Sequence, residues 1–348
     1  MQHSTGWPVR PASIKRPLYL ACVAALVVAL APMSLFAQSA DLAAAGNSTL
    51  RDGVVVGSDL AFAMNPAGGV EAIDLATGEI RWTSTDALRP LVLAGEMLVA
   101  QGPAGRAGVL PILTLDSATG AVRGTAIEVE LPEGVWARAK DGLQRRFNAQ
   151  AYMDRGVVVT WTATRAGKKT PAQGYMPAAN EGNAPGQGVA AKAPTGIYEN
   201  FQGVARVDLA TRSAAPVRGL AARTARAQVG LHTGTYIDGA EGRQFLSADG
   251  RHVLVSKMVQ TESPWNAYRW TLYERGGARL GEVSSSMSAA PFVVRAGRLV
   301  VEARPGVVME NGKLVEQPLR LTGIDLTTGS EVWTREITDA EYKGPFAP

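Results

Sequence analysis

Apolar and polar residues alternate along most of this chain in short runs broken by glycine turns, the pattern of half-buried β-strands joined by tight hairpins. Five hairpins have the form apolar strand, x-Gly, apolar strand. They are Ser48–Val56 around Asp52-Gly53, Pro90–Ala100 around Ala94-Gly95, Ala149–Thr162 around Arg155-Gly156, Phe245–Ser256 around Asp249-Gly250 and Phe292–Ala303 around Ala296-Gly297. A second hairpin with a recurring signature follows each of them. Residues 70–82 read VEAIDLATGEIRW and residues 321–333 read LTGIDLTTGSEVW. In both, an aspartate (Asp74, Asp325) precedes a Thr-Gly pair (Thr77-Gly78, Thr328-Gly329) and then a tryptophan (Trp82, Trp333). Residues 112–123 repeat the pattern with Asp116, Thr119 and Gly120, but Gly124 falls where the tryptophan belongs. Residues 204–211 keep Asp208, with Arg212 in the glycine's place, and a looser copy runs from Trp270 to Leu280 around Glu274.

Each part of the signature has a physical job. The aspartate accepts backbone N–H groups of the turn, and the glycine supplies the positive φ of the reversal. The tryptophan on the return strand can bury ~150–250 Å² against a neighbouring sheet. Two hairpins per unit make a four-stranded antiparallel sheet, and sheets repeated in series make an all-β fold, a β-propeller of four-stranded antiparallel blades. The interval from Asp74 to Asp116 fits the ~40–45 residues of one blade. Five blades can be read; degenerate strands within 125–147 and 219–242 leave room for five to seven. The propeller is expected over 48–337, with a Gly/Pro/Ala-rich inserted loop at 165–200 in the third blade and a C-terminal tail at 338–348.

Arg10, Lys15 and Arg16 precede an apolar run from Leu18 to Phe36, and small or polar residues follow. This is the order of a secretory signal peptide, expected over 1–37 with a short linker at 38–47. The protein is therefore expected in the periplasm or secreted. The run is nearly long enough to span a bilayer, so an uncleaved inner-membrane anchor, the only membrane contact expected, is the alternative. Cys22 is the single cysteine and lies in this segment, which excludes disulfides and thiolate metal sites from the rest of the chain. The 348 residues carry 35 basic and 31 acidic side chains, too small an excess to point to nucleic acid. The cluster Arg138, Lys140, Arg145 and Arg146 is expected to be a solvated blade edge.

The repeated D-x-x-T-G-x-x-x-W resembles the tryptophan-docking repeat of quinoprotein β-propellers, the pyrroloquinoline-quinone-like repeat family, from about Ser48 to Trp333. The resemblance implies that the tryptophan docks between blades. It does not imply activity, because many members bind no quinone. The quinone dehydrogenases of that superfamily are larger, and often use a vicinal disulfide and a calcium-holding acidic and amide set that cannot be matched here, which implies the non-enzymatic branch. The blades are also similar to those of the propeller lipoprotein of the bacterial outer-membrane assembly machine, a non-enzymatic scaffold, although this chain lacks a clear lipobox.

Candidate chemistry is sparse. Beyond His3 there are only His232 and His252, and neither has metal-ligand spacing. No catalytic, cofactor-binding or metal-binding residue is assigned. Hydrolysis of glycans needs two carboxylates facing the funnel; Asp154, Asp249 and Glu302 are the residues near enough to consider. The candidate partner-binding residues are Lys168, Lys169, Tyr175 and Tyr198 on the inserted loop and Trp265 on the Glu262–Tyr268 loop, since aromatic and basic groups on long loops anchor protein contacts. The expected function is an exported non-catalytic scaffold that binds another envelope protein or polymer. The alternative is a small-ligand or glycan-binding propeller with hydrolase activity.

Overall fold

The computed structural model describes residues 48–338 except 52, 104, 137–144, 154–155, 167–197, 219–230, 262–265, 304–305 and 311–312. The expected signal peptide, the linker and the tail beyond Thr338 lie outside the described residues. Five antiparallel sheets follow one another along the chain. The first is β1 (Ser48–Arg51), β2 (Val54–Val56), β3 (Leu60–Met64), β4 (Val70–Asp74) and β5 (Ile80–Ser84). The second is β6 (Arg89–Ala94), β7 (Met97–Gln101), β8 (Val109–Asp116) and β9 (Ile127–Glu130), followed by a single helical turn α1 (Glu133–Trp136). The third is β10 (Arg145–Met153), β11 (Val157–Ala166), β12 (Tyr198–Asp208) and β13 (Ser213–Pro216). The fourth is β14 (His232–Gly234), β15 (Arg243–Leu246), β16 (His252–Val259), β17 (Ala267–Glu274) and β18 (Arg279–Ser285). The fifth is β19 (Phe292–Arg295), β20 (Arg298–Ala303), β23 (Arg320–Asp325) and β24 (Glu331–Glu336), with a separate hairpin of β21 (Gly306–Glu310) and β22 (Lys313–Gln317) between its second and third strands.

The core lies between sheets. Phe62, Val55 and Ala72 of the first sheet pack with Leu93, Leu98 and Leu115 of the second. Val99, Leu110 and Ile112 on the opposite face of the second sheet pack with Phe147, Val159 and Trp161 of the third. Phe245, Leu254 and Trp270 of the fourth sheet meet Phe292 and Leu299 of the fifth. The other face of the fifth sheet, with Val293, Val300 and Leu321, packs on Val54, Ala61 and Ile73 of the first. In the first, second and fifth sheets the inner strands thus serve two neighbouring sheets, so these strands are apolar on both faces. This is the packing of a β-propeller of four-stranded antiparallel blades.

Register corrects one element of the sequence reading. The hairpin at Asp52-Gly53 exists as β1–β2, but it is not the first blade's inner hairpin. Leu60 pairs with Asp74 as Met97 pairs with Asp116, His252 with Glu274 and Arg298 with Asp325. The counterpart of the other inner hairpins is therefore β2–β3, which reverses at residues 57–59, and β1 is an added strand inside it. The fourth sheet has a similar addition in β14. The described parts of the segments suspected of hiding further blades supply β9, β10 and β14, each a member of one of the five sheets.

Strand direction sorts the connections onto two faces. The turns joining first to second and third to fourth blade strands are tight and share one end, the turn face. The connections from second to third strand, and from sheet to sheet, emerge at the other end, the loop face.

Candidate functional site

The repeated signature builds the seams between blades. The Oδ1 of Asp74 accepts the N–H groups of Ala76 and Thr77, both at 2.9 Å. Asp116 does the same for Ala118 and Thr119, Asp208 for Ala210 and Thr211, and Asp325 for Thr327 and Thr328. Arg81, Arg123 and Arg298 pair with Asp74, Asp116 and Asp325 respectively. The turn aspartates are thus committed to backbone bonds and ion pairs, as the sequence expectation for them required.

Trp82 donates its indole N–H to the Ser117 carbonyl at 2.9 Å, and its ring lies over Gly120 of the second sheet. Trp333 donates to the Leu75 carbonyl at 2.9 Å and lies over Gly78 of the first. A side chain at either glycine is blocked: its Cβ would stand 2.4 Å from Trp333 at position 78 and 2.5 Å from Trp82 at position 120, and both glycines have φ above +70°. Thr328 and Gly329 close the fifth sheet's turn, where Gly329 meets the Glu282 carbonyl of the fourth sheet instead of an indole.

The seam between the second and third sheets is built in reverse. Gly124 occupies the tryptophan position and Arg212 the docking-glycine position. The Arg212 guanidinium reaches back into the space over Gly124, where a Cβ would stand 2.9 Å from its Cζ, and it donates to Thr114 Oγ1 at 3.3 Å and to the Thr125 carbonyl. The two departures in the sequence are one compensating pair; sequence reading recorded both without joining them. Restoring the common pattern tests this. Gly124→Trp alone is expected to clash with Arg212 and Arg212→Gly alone to leave a void, whereas the double variant should recover roughly 1–3 kcal/mol of the summed loss, read as coupling in a double-mutant cycle by chemical unfolding. Additive losses would show the two positions to be independent.

At the loop face the inner strands change from apolar to polar. Arg89 and Gln101 sit opposite one another at the loop-face end of β6 and β7, and Arg243 and Ser256 at that of β15 and β16. In the fifth, the Glu302 N–H donates to the Pro291 carbonyl at this level. Arg89 is fully buried; its Nη1 donates to Asn148 Oδ1 at 2.6 Å and to the Ala149 carbonyl at 3.3 Å, tying the second sheet to the third. Glu302, considered for hydrolysis, is also fully buried, on the side of β20 that faces the first sheet. Glu71 of β4 is buried too. Burial pushes its carboxyl up, against the Asn65 amide, which donates to it at 2.7 Å, and the charge of Arg335.

Asp249, the second carboxylate considered, lies on the turn face between the fourth and fifth sheets. Its Oδ2 accepts Arg295 Nη1 at 2.5 Å, and its Oδ1 accepts Ser247 Oγ at 2.5 Å and the Arg251 N–H at 3.1 Å. Burial raises its pKa, but the hydrogen bonds from His252, Ser247 and Arg295 more than offset this and hold the carboxyl well below the usual range. His252 Nδ1 is 3.8 Å from Oδ1, too long for a well-formed bond, so we assign most of the depression to Ser247 and Arg295. A carboxylate held ionised by a buried guanidinium has no proton to give, which makes Asp249 a strut and not a general acid. Asp154 lies outside the described residues.

Among the described residues no group of three or more His, Cys, Asp or Glu side chains converges to hold a metal ion. Lys168, Lys169, Tyr175 and Trp265 lie outside the described residues. Tyr198 opens β12, its main chain paired with Ala166, and its side chain is likewise outside them. The strands that carry these segments are described. β11 and β12 pair as far as Ala166↔Tyr198, and β16 and β17 as far as Val259↔Ala267, so both loops leave from the loop face.

No family model and no curated protein matches the chain. Among solved structures it is similar to the quinohemoprotein alcohol dehydrogenase ADHIIG from Pseudomonas putida HK5, with 13% identity over 85% of this chain and 44% of that one, at a TM-score of 0.22. The chain spans less than half the length of that enzyme, and a likeness of this size transfers none of its chemistry.

Proposed function

We propose that this protein is an exported, non-catalytic propeller whose loop face docks another envelope protein. The observation that carries the reading is the distribution of connections. In the first two sheets the links from second to third strand are short, Met64 to Val70 and Gln101 to Val109. In the fourth sheet the link, Val259 to Ala267, is as short as in the second, but in the third and fifth it becomes the segment between Ala166 and Tyr198 and the β21–β22 hairpin. Two blades, the third and the fifth, thus enlarge the same face, while the turn face keeps tight reversals. Long loops on a rigid scaffold are the usual location of recognition. Met258 at the loop-face end of the fourth sheet and Leu314 on the β21–β22 hairpin are 65% and 68% exposed, and apolar side chains of this size favour contact with a partner.

The turn aspartates, the usual store of carboxylates in such a fold, are engaged in structure, which favours a platform over a hydrolase. Crosslinking in the intact envelope, followed by recovery of the protein, tests the reading. The whole chain is expected to capture a partner that a variant lacking residues 168–196 loses by at least about tenfold, the effect of removing one strong anchor. Recovery of every partner by the deletion, or turnover of a glycoside that one carboxylate substitution abolishes, would overturn it.

A further inference from the structure

We infer that the ring is held shut from inside by β1, and that the seam between the fifth and first sheets is where the propeller opens when this strap is released. The first sheet is built wholly from the beginning of the described chain and the fifth wholly from its end. Among the described residues no strand is exchanged between them and no β-ladder closes the ring.

Beside the apolar cluster that packs the two sheets together, three hydrogen bonds cross that seam. Trp333 reaches the Leu75 carbonyl, Arg335 Nε donates to the Gly78 carbonyl at 2.6 Å, and the Thr338 N–H donates to the Met64 carbonyl at 2.9 Å. The fourth element is β1. It is hydrogen-bonded only to β2, along its inner side, by the pairs Ser48↔Val56, Thr49↔Val55 and Arg51↔Val54. From there it lies against both β6 of the second sheet and β19 of the fifth. Its Leu50 is 1% exposed, clustered with Val54 and Val56 of its own sheet and with Val293, Leu321 and Trp333 of the fifth.

The strap is held by one short, irregular ladder and one buried leucine, with a shift of register between Thr49 and Arg51. A strand paired on one edge over so few residues opens at less cost than the four-stranded sheets around it. Its departure would uncover the apolar inner strands on both sides and take Leu50 out of the cluster that packs the two sheets together, leaving the rest of that cluster and the Trp333, Arg335 and Thr338 bonds to hold the seam. The seam between β24 and the first sheet, which the chain itself does not bridge, is therefore where the ring is expected to open first on release of the strap.

Hydrogen exchange on the full chain tests this. Leu50→Asp is expected to speed exchange of the β2, β19 and β24 amides about tenfold or more while leaving β11 and β12 within about twofold. Equal acceleration in all five sheets, or no acceleration at the seam, would overturn the proposal. Should that variant fail to fold, Ser48→Cys with Val56→Cys in a Cys22→Ala background places a disulfide across the β1–β2 pair. Oxidation is then expected to slow exchange at the same seam amides relative to the reduced form, and unchanged exchange on locking would equally overturn it.

Discussion

Trp333→Ala is expected to destabilise the protein by about 3–5 kcal/mol, more than any other single truncation in the repeated signature. The side chain is 7% exposed and sits in the cluster that joins the fifth sheet to the first. Its ring covers Gly78 of the first sheet and Gly323 of its own strand pair, so truncation opens a void against two residues that have no side chain to fill it. It also removes the donor to the Leu75 carbonyl, whose residue is fully buried, adding roughly 1–3 kcal/mol for an acceptor left unsatisfied if no water reaches it. At roughly 2–4 °C per kcal/mol for a domain of this size, thermal unfolding should shift down by about 6–20 °C. Trp82→Ala removes an equivalent hydrogen bond, but its ring is only half-buried and touches Phe62 at 5.7 Å, so its loss should be clearly smaller. Thermal unfolding of the two variants side by side decides the matter. Equal losses would mean that closing the ring places no greater demand on its tryptophan than an internal seam does.

That difference between the two tryptophans marks the limit of what is legible in the sequence. The signature at 70–82 and 321–333 specifies a turn and a docking side chain, because each requirement is local: an acceptor for turn amides, a residue that tolerates positive φ, an aromatic on the return strand. The blade hairpins follow from alternation in the same way. Which seam a tryptophan closes is set by contacts between residues more than two hundred positions apart, such as Trp333 with Leu75, and no periodicity encodes those. The misplacement of the first inner hairpin has a similar origin. Asp52-Gly53 and Gly57-Ser58-Asp59 are both good turn sequences; only the pairing of Leu60 with Asp74 shows which belongs to the blade. The polar level at the loop end of the inner strands also escaped notice, since Arg89, Gln101 and Glu302 stand at the ends of apolar runs where a solvated residue is the ordinary expectation. Arg89, Gln101 and Glu302 become fully buried only when neighbouring sheets close over them. The reversed docking of Arg212 on Gly124 was written in the sequence as two departures, but their complementarity appears only once the third sheet lies against the second.

The Asp249–Arg295 pair gives the second large effect, and its sign depends on pH. Asp249 belongs to the turn of the fourth sheet and Arg295 to the first strand of the fifth, so the pair bridges two blades with side chains 1% and 9% exposed. Asp249→Asn keeps an acceptor for Ser247 and for the Arg251 N–H and removes only the charge. The Arg295 guanidinium then stays buried without its carboxylate, at an expected cost of about 3–5 kcal/mol near neutral pH. Replacing both partners by Asp249→Asn with Arg295→Met should be milder than the single change, because the desolvation of the cation is removed with it. The pH dependence follows from linkage. The folded carboxyl lies below its ordinary value of 3.8, so the unfolded chain takes up the proton first. The contribution is complete above that value and is lost as the pH falls below it, toward the depressed folded one. Asp116 and Asp325 act in the same direction, each held at about 2, the first chiefly by hydrogen bonding from Arg123 and the second from Thr327. Unfolding free energies measured between pH 7 and pH 2 should therefore fall steeply below about 4 in the wild type and less steeply in Asp249→Asn. If the two profiles run parallel, the buried pair contributes nothing that titrates, and the loss in the variant must come from packing alone.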